Sequence, residues 1–529
     1  MAATEPDGLT QLPIQAQKAV CWLLILLAGM MATGRLASVT QLYDPTLFRA
    51  ADEVNSKRAW ITKKPTPVVT LSSNDRSRWL TVRSLLENGT YVIGTRDKNA
   101  FAASAVSLVG INQPGIDQSF AIPALLLAGK QARIASDKGL LFEDGWNSID
   151  RVLKPDTLEF YSSKPPLFPT LLAGWTWALG KITGWTLKEE PAAVIRTTLF
   201  FLNIIPFMLY LGFLASIIFR LTDSGWVRIV LVAAAAFGSL VTPFLITLNN
   251  HTPVVFLVTF ALWALLSNRS PGWETACLSG AACGLAFTME LPSLAFLGAI
   301  LVLWLDRRQP ITLAIFLASA SVFIGSLVLL NYVSIGSFLP AYSEFGGPWY
   351  DYEGSSWHPY DNFGNLKRNI DFARRNMGQT RAEYTFHLLL GHHGLFSLTP
   401  IFVLSLWGGL IWLFGSKNGN ATTGETPVTP KLALTSLGLT GILIGFYLYK
   451  SDNYGGMSCA PRWLMWLTPF LLLSAIPALE KLKDSRPGRA VALFLLSVGI
   501  FSASWPAWTP WKLPWIYDLI VWLGWRGYF

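Results

Sequence analysis

Two short runs carry residue types that can do chemistry. The first is Ser72-Ser73-Asn74-Asp75-Arg76-Ser77-Arg78-Trp79-Leu80, and the second is Phe160-Tyr161-Ser162-Ser163-Lys164-Pro165-Pro166-Leu167. Two prolines after a lysine fix an extended turn, so Lys164 falls at the entrance of the apolar helix that follows, beside its N-terminal amides. A cation there can bind an anionic group such as a lipid phosphate, or simply snorkel at an interface. In the first run, Ser73 or Asn74 can cap a helix and Gly89 can end it. Asp75 and Arg78 are three apart and share a face; the simplest reading makes Asp75 a partner of the helix dipole and Arg78 its solvated companion. Trp79, Val82, Leu85 and Leu86 recur at helical spacing, an apolar face suited to a membrane surface.

Other candidates are spread along the chain. Asp150 closes Asp144-Gly-Trp-Asn-Ser-Ile-Asp150 and can equally be a loop acid. Asn249-Asn250-His251 forms a polar turn between two apolar runs, and Glu290 lies between two more. An ionisable residue there is costly unless paired or hydrated. Glu383 and His387 are four apart, and His392 and His393 follow; with His358, four of the five histidines lie in one segment. Imidazole and carboxylate suit zinc or manganese, although the spacing matches no standard zinc motif. Trp349, Tyr350, Tyr352, Trp357 and Tyr360 can stack on sugar rings or anchor a loop. Asp452-Asn453-Tyr454-Gly455-Gly456 precedes Pro461-Arg462-Trp463; the glycines permit close backbone approach, and Arg462 can grip a phosphate.

The elements that must hold these residues are membrane helices. Of 529 residues, 52% are hydrophobic and 14% charged, against roughly 25% charged in soluble domains. Mean hydropathy is +0.41. The 23 tryptophans suit an interfacial belt. The net charge of +9 is read as loop charge, with no nucleic-acid partner. Cys21, Cys277, Cys283 and Cys459 form no CxxC pair and indicate neither a disulfide framework nor a cysteine zinc site.

Eleven apolar stretches are long enough for spans or nearly so: 17–37, 194–219, 227–248, 252–267, 273–289, 291–305, 310–333, 395–415, 431–449, 463–479 and 488–505. The tryptophan-rich 511–529 is interfacial or a further span. The expected fold is an all-α polytopic membrane protein with about 11–13 transmembrane helices. Its divisions are 1–37, a tail and first span; 38–193, a first outer loop; 194–333, a transmembrane core; 334–394, a second outer loop; and 395–529, a C-terminal bundle with an interfacial tail.

Eleven lysines and arginines fall in one set of short loops, including Arg220, Arg228, Lys481, Lys483, Arg486 and Arg489. The opposite short loops hold only Lys450 and Arg462. The positive-inside rule then places the N-terminus in the cytoplasm and both long loops outside, across a plasma (inner) membrane. If 165–182 crossed, every later loop would flip, so that segment is expected to be re-entrant or juxtamembrane. Glu5 and Asp7 with Lys18 make a weak leader, so the first span is read as an uncleaved anchor. No internal repeat is legible, the linker 416–430 is polar, and 92–140 carries no functional reading.

The first outer loop resembles that of the GT-C superfamily of polytopic glycosyltransferases, in the branch of the protein O-mannosyltransferases and the lipid A aminoarabinose transferase. That branch shows Asp-Glu-x-Arg-Tyr, then aromatic-Glu-Lys-Pro-Pro-Leu, then Arg-Leu opening the next span. Here Asp75-Arg76-Ser77-Arg78-Trp79, Tyr161-Ser-Ser163-Lys164-Pro-Pro-Leu167 and Arg196-Thr stand in that order, over roughly 70–330. Arg76 and Ser163 replace the usual glutamates.

The resemblance implies a polyprenyl-phosphate-linked sugar donor, membrane lipid around its tail, and a lipid, glycan or protein acceptor at the outer face. Asp75 then matches the catalytic carboxylate, and Lys164, Arg78 and Arg462 are the candidates for the donor phosphate. Asp150, Tyr161, Asn250, His251, Glu290, His392 and His393 are candidate lining. Ser163 puts metal dependence in doubt, so a divalent cation stays an open cofactor. A transporter or lipid flippase is the alternative from another class, and a non-catalytic envelope assembly protein is a third. A transporter should show repeats and mid-membrane charges. A hydrolase is disfavoured for want of a nucleophile elbow.

Overall fold

The computed structural model describes residues 12–42, 67–97, 137–143, 145–267, 272–305, 310–345, 347–352, 354–357, 379–415, 428–451 and 454–524. The chain divides into two compact units. The larger holds Met1–Val39, Leu199–Ile324 and Asp371–Phe529; the smaller holds Thr40–Thr198 and Gly325–Ile370.

Each of the eleven expected spans coincides with helical segments. Among the described residues, five helices are long and apolar enough to cross a membrane: Ile14–Ser38, Pro191–Leu221, Pro310–Ile335, Thr429–Lys450 and Arg486–Ser504. A sixth is formed if the pair Arg462–Ser474 and Ile476–Leu482, bent by 45°, counts as one. The chain is an all-α polytopic membrane protein, and among the described residues its small sheets lie in the smaller unit.

The remaining spans are shorter or broken, for local reasons. The stretch 227–248 is helical only over Gly225–Phe237 and resumes as the 3-10 turn Thr242–Ile246. Gly238 lets the chain turn there, and its carbonyl lies so close to Gly499 that a Cβ on the latter would stand 2.8 Å away. In 395–415, Pro400 divides the helix Leu395–Leu398 from Val403–Phe414. Pro206 has no N–H to donate, and the preceding turn relaxes into the π-turn Phe200–Ile204. Buried Asn203 in that turn donates Nδ2 to the carbonyls of Leu245 (2.8 Å) and Thr247 (3.2 Å).

In the larger unit the helices pack through small residues. A Cβ on Gly284 would stand 2.5 Å from the Ala320 carbonyl oxygen, and Gly280 meets the Phe316 backbone closer still. This is the small-xxx-small packing by which apolar helices approach without a hydrophobic driving force from the lipid. Ser319 Oγ adds a bond to the Cys277 carbonyl at 2.7 Å. Arg228, buried on Gly225–Phe237, donates to Gln17 Oε1 on the first helix at 2.8 Å, so this cation is paired rather than loose in an apolar bundle.

The smaller unit is built differently. Its sheet runs Gly94–Thr95, Glu159–Ser162, Arg151–Lys154 in spatial order, all antiparallel. Leu80, Ile93, Leu141, Leu153, Phe160 and Tyr352 form its main apolar cluster. A second gathers Val152, Tyr161, Ile335, Ala341 and Tyr350. The helices Ser73–Asn88 and Leu167–Thr183 complete it.

The Ser73–Asn88 helix corrects two expectations. Its cap is Ser72, one residue earlier than expected, and Gly89 ends it at φ 66°. It also does not lie on a surface, because residues 75–84 are all buried. Its cations are therefore matched internally. Arg83 pairs with Glu87 (2.6 Å) and Glu143 (2.5 Å) and lies over Trp146. Arg76 donates Nε to the Asn147 carbonyl at 2.7 Å.

Candidate active site

In the smaller unit the two sequence runs meet. Asp75 is the third residue of its helix, the position from which its N–H reaches the Ser72 hydroxyl at 3.1 Å. Its carboxylate Oδ2 accepts from the Leu71 N–H, also at 3.1 Å. Asp75 is fully buried. Asp75 is thus a capping residue as well as a candidate base.

Two residues on, about half a turn around the helix, the Ser77 hydroxyl lies 2.5 Å from the Asp150 carbonyl and 2.6 Å from Ser162 Oγ. Ser148 Oγ donates to the Ser73 carbonyl at 2.7 Å. These bonds fasten the start of the Asp75 helix to the Arg151–Ser162 hairpin and its flanks. On that hairpin, Lys164 Nζ stands 2.8 Å from Asp150 Oδ1, with side-chain exposures of 19% and 14%. Asp150 is accordingly a counter-ion to the lysine. Lys164 leads into the Leu167–Thr183 helix, whose first turn has no side-chain cap. A cation and uncapped amides at one helix entrance form an anion-attracting pair. Lys164 also lines a cavity of about 20 Å³ with Thr81, Tyr91, Tyr161 and Ser162, room for about one water.

Sequence reasoning missed three members of this cluster. Ser77 and Ser162 carried no signal beyond being small and polar. Tyr350 was legible only as one aromatic among many. It is buried, shares a hydrogen bond with Ser163, and has its phenol pKa raised by burial and by the Asp150 charge. Tyr350 and Tyr352 are therefore core residues here, not open sugar platforms, while Trp357 donates Nε1 to the Ile149 carbonyl at 2.8 Å. Tyr161 is likewise buried, and its hydroxyl donates to Glu159 at 2.7 Å; burial and that carboxylate raise its pKa. Arg78 is not solvated. It is buried and its Nη1 donates to the Asn74 carbonyl at 3.0 Å and to the Asn74 side chain. Asp144, His358 and Tyr360 lie outside the described residues.

The larger unit holds two further groups. Glu290, at the end of the Trp273–Met289 helix, pairs with His251 Nδ1 at 2.6 Å and accepts from Asn250 Nδ2. Both acid and imidazole are buried, which answers the cost of an acid between spans. The Arg462 guanidinium lies 4.7 Å over the Trp511 ring, and Tyr447 stacks on Trp463 at 4.8 Å. Gly455 (φ 97°) and Gly456 (φ 71°) turn in the left-handed region, where a side chain is strained. A Cβ on Gly455 would stand 3.4 Å from Arg462 Nε. Asp452 and Asn453 lie outside the described residues.

The second group is His387, His392 and His393. His387 and His392 stack at 4.0 Å, the Nδ1 atoms of His392 and His393 are 2.5 Å apart, and His393 stacks on Tyr454 at 4.6 Å. Burial holds His392 down to about 2 and His393 to about 3, each further lowered by neighbouring imidazoles. Glu383 does not join them as a ligand; it closes a capping box with Thr380, whose bonds lower its pKa. Among the described residues, no three His, Cys, Asp or Glu side chains form a group that could hold a metal ion. With Asp150 held by Lys164 and Ser163 in place of an acid, the donor set does not fit a divalent cation.

No family model matches the chain, and neither does any curated protein. Among solved structures it is similar to the Archaeoglobus fulgidus oligosaccharyltransferase. The apo form matches at 10% identity and a TM-score of 0.41, over 95% of this chain and 58% of that one. The complex with Zn and sulfate matches at 14% and 0.36, over 70% and 47%. The form tethered to an acceptor peptide matches at 14% and 0.36, over 69% and 49%. The chain thus spans about half the length of that protein, and the match is too distant to define a function.

Proposed function

We propose that this protein is a GT-C-type membrane glycosyltransferase that moves a sugar from a polyprenyl phosphate to a hydroxyl acceptor (a lipid, glycan or protein) on the outer face of the membrane. The observation that carries this reading is the bonding of Ser77 to both the Asp150 carbonyl and Ser162. It ties a buried carboxylate and a partly exposed lysine, the two groups such a transfer needs, into one folded unit.

The chemistry follows from those groups. Asp75 takes the proton of the acceptor hydroxyl, whose oxygen forms a bond to C1 of the sugar. The bond from C1 to the phosphate oxygen breaks as the new one forms. The electron pair leaves with the lipid phosphate, and C1 inverts. Lys164 and the uncapped amides of the Leu167–Thr183 helix stabilise the charge gathering on that phosphate. Asp150 holds Lys164 oriented in the meantime. Arg78, bound to Asn74, keeps the first turn rigid.

The test is to supply the purified full chain with a panel of polyprenyl-phosphate sugars and hydroxyl acceptors and to follow release of free polyprenyl phosphate. One sugar is expected to turn over with an acceptor present, and its anomeric configuration to invert. Movement of intact lipid across vesicles without sugar release would instead identify a flippase.

A further inference from the structure

A second cavity, of about 650 Å³, lies in the larger unit, among residues outside the groups described above. It is lined by Leu221, Thr222, Ser224, Ile411, Trp412, Ile476, Pro477, Glu480, Lys481 and Lys483, with Asp223 at its rim. Its origin is local. Pro477 follows the break at which Arg462–Ser474 and Ile476–Leu482 bend by 45°, because a proline inside a helix removes a bond and clashes with the turn before it. Every other lining segment is also a helix end: Leu221 closes Ile205–Leu221, Ser224 caps Gly225–Phe237, and Ile411 and Trp412 fall in the last turn of Val403–Phe414. Helix ends in a polytopic protein lie at the boundary of the hydrocarbon, where tryptophan is favoured.

The lining is amphipathic in the same sense. Ile411, Trp412, Ile476 and Pro477 make an apolar wall, and Thr222, Ser224 and the lysines make a polar one. The charges are arranged with a cation to spare. Glu480 accepts from Thr222 Oγ1 and pairs with Lys483. Asp223 is fully exposed and pairs with Arg228 at 3.3 Å. Lys481 is exposed at the same site; beyond it the exposed Asp484 is outnumbered by Arg486 and Arg489, which follow within eight residues. Arg489 donates to the Lys483 carbonyl at 2.9 Å, tying this basic segment to the cavity edge.

We propose that the cavity is a binding site for an anionic glycerophospholipid, its phosphate beside Lys481 and Lys483, its headgroup hydroxyls toward Thr222 and Ser224, and the start of its chains against Trp412 and Ile476. The volume is within the range of small-molecule sites, and basic pockets at helix ends attract anionic headgroups. The site is independent of the transfer reaction.

Native mass spectrometry of the full chain in detergent, titrated with phosphatidylglycerol or phosphatidylcholine, tests it. Wild type is expected to hold phosphatidylglycerol preferentially. Lys481→Gln should weaken that lipid about fivefold and leave phosphatidylcholine unchanged, and Trp412→Ala should weaken both. Monodisperse elution of each variant checks folding. Equal retention of the two lipids, or an unchanged Lys481→Gln titration, overturns the proposal. Displacement of phosphatidylglycerol by millimolar inorganic phosphate overturns it too, since the site would then serve free phosphate.

Discussion

Lys164 Nζ and Asp150 Oδ1 stand 2.8 Å apart in a partly exposed ion pair at the entrance of the Leu167–Thr183 helix. The pair leaves the ammonium in reach of a second anion. Lys164→Met should lower lipid-phosphate release about 100-fold, the size of effect seen when one donor to a developing oxyanion is removed. Asp150→Asn should keep the lysine in place and cost less. Rates for the two variants, measured on one donor, check the order.

Ser77→Ala removes one hydroxyl that touches two segments, the Asp150 carbonyl and Ser162. A half-buried carbonyl and a buried hydroxyl each lose a partner, so thermal unfolding should show a loss of about 1–2 kcal/mol. Turnover should fall with it, because the same hydroxyl joins the Asp75 helix to the segments that carry Asp150 and Ser162. A variant with wild-type stability and rate would remove this network from the account.

Gly284→Val places a branched side chain where a Cβ alone would meet the Ala320 backbone at 2.5 Å. The helices Trp273–Met289 and Pro310–Ile335 must then part. A loss of about 1–3 kcal/mol is expected, read as a lower unfolding midpoint in detergent. Gly438→Ala, where nothing lies within 4 Å of a Cβ, is the matched control.

His392 and His393 predict a pH dependence of stability. Their folded pKa values, about 2 and about 3, lie below the ordinary 6.5. The unfolded chain therefore takes up protons first, and stability is complete above about pH 6.5 and declines as pH falls toward the folded values. Unfolding midpoints between pH 8 and pH 4.5 should fall on the acid side, and His392→Gln with His393→Gln should flatten that slope.

Much of the frame was legible because it follows from long apolar runs. The helices at 17–37, 310–333 and 488–505 needed only length and hydropathy. The breaks were harder, although Pro400 and Pro477 are visible in the sequence, because proline inside a membrane run is also tolerated without a break. The smaller unit was the least legible part. Arg151–Lys154 and Glu159–Ser162 are four residues each, too short for alternation to stand out. Arg78 reads from its spacing as a solvated companion of Asp75, yet it is buried against Asn74, four residues back. Arg76 and Arg83 are buried through Asn147 and Glu143, partners too far along the chain for a spacing rule to join to them. The Glu290–His251 pair was half legible, since burial of an acid between spans demands a partner but does not name it.

Asp75→Asn tests the central claim most directly. Asparagine keeps the shape and can still accept from the Leu71 N–H, so the unfolding midpoint should stay close to wild type. Without a base, release of polyprenyl phosphate to an acceptor should fall by at least about 100-fold. A folded Asp75→Asn protein that transfers sugar at the wild-type rate would contradict the account and leave Asp75 as a helix cap alone.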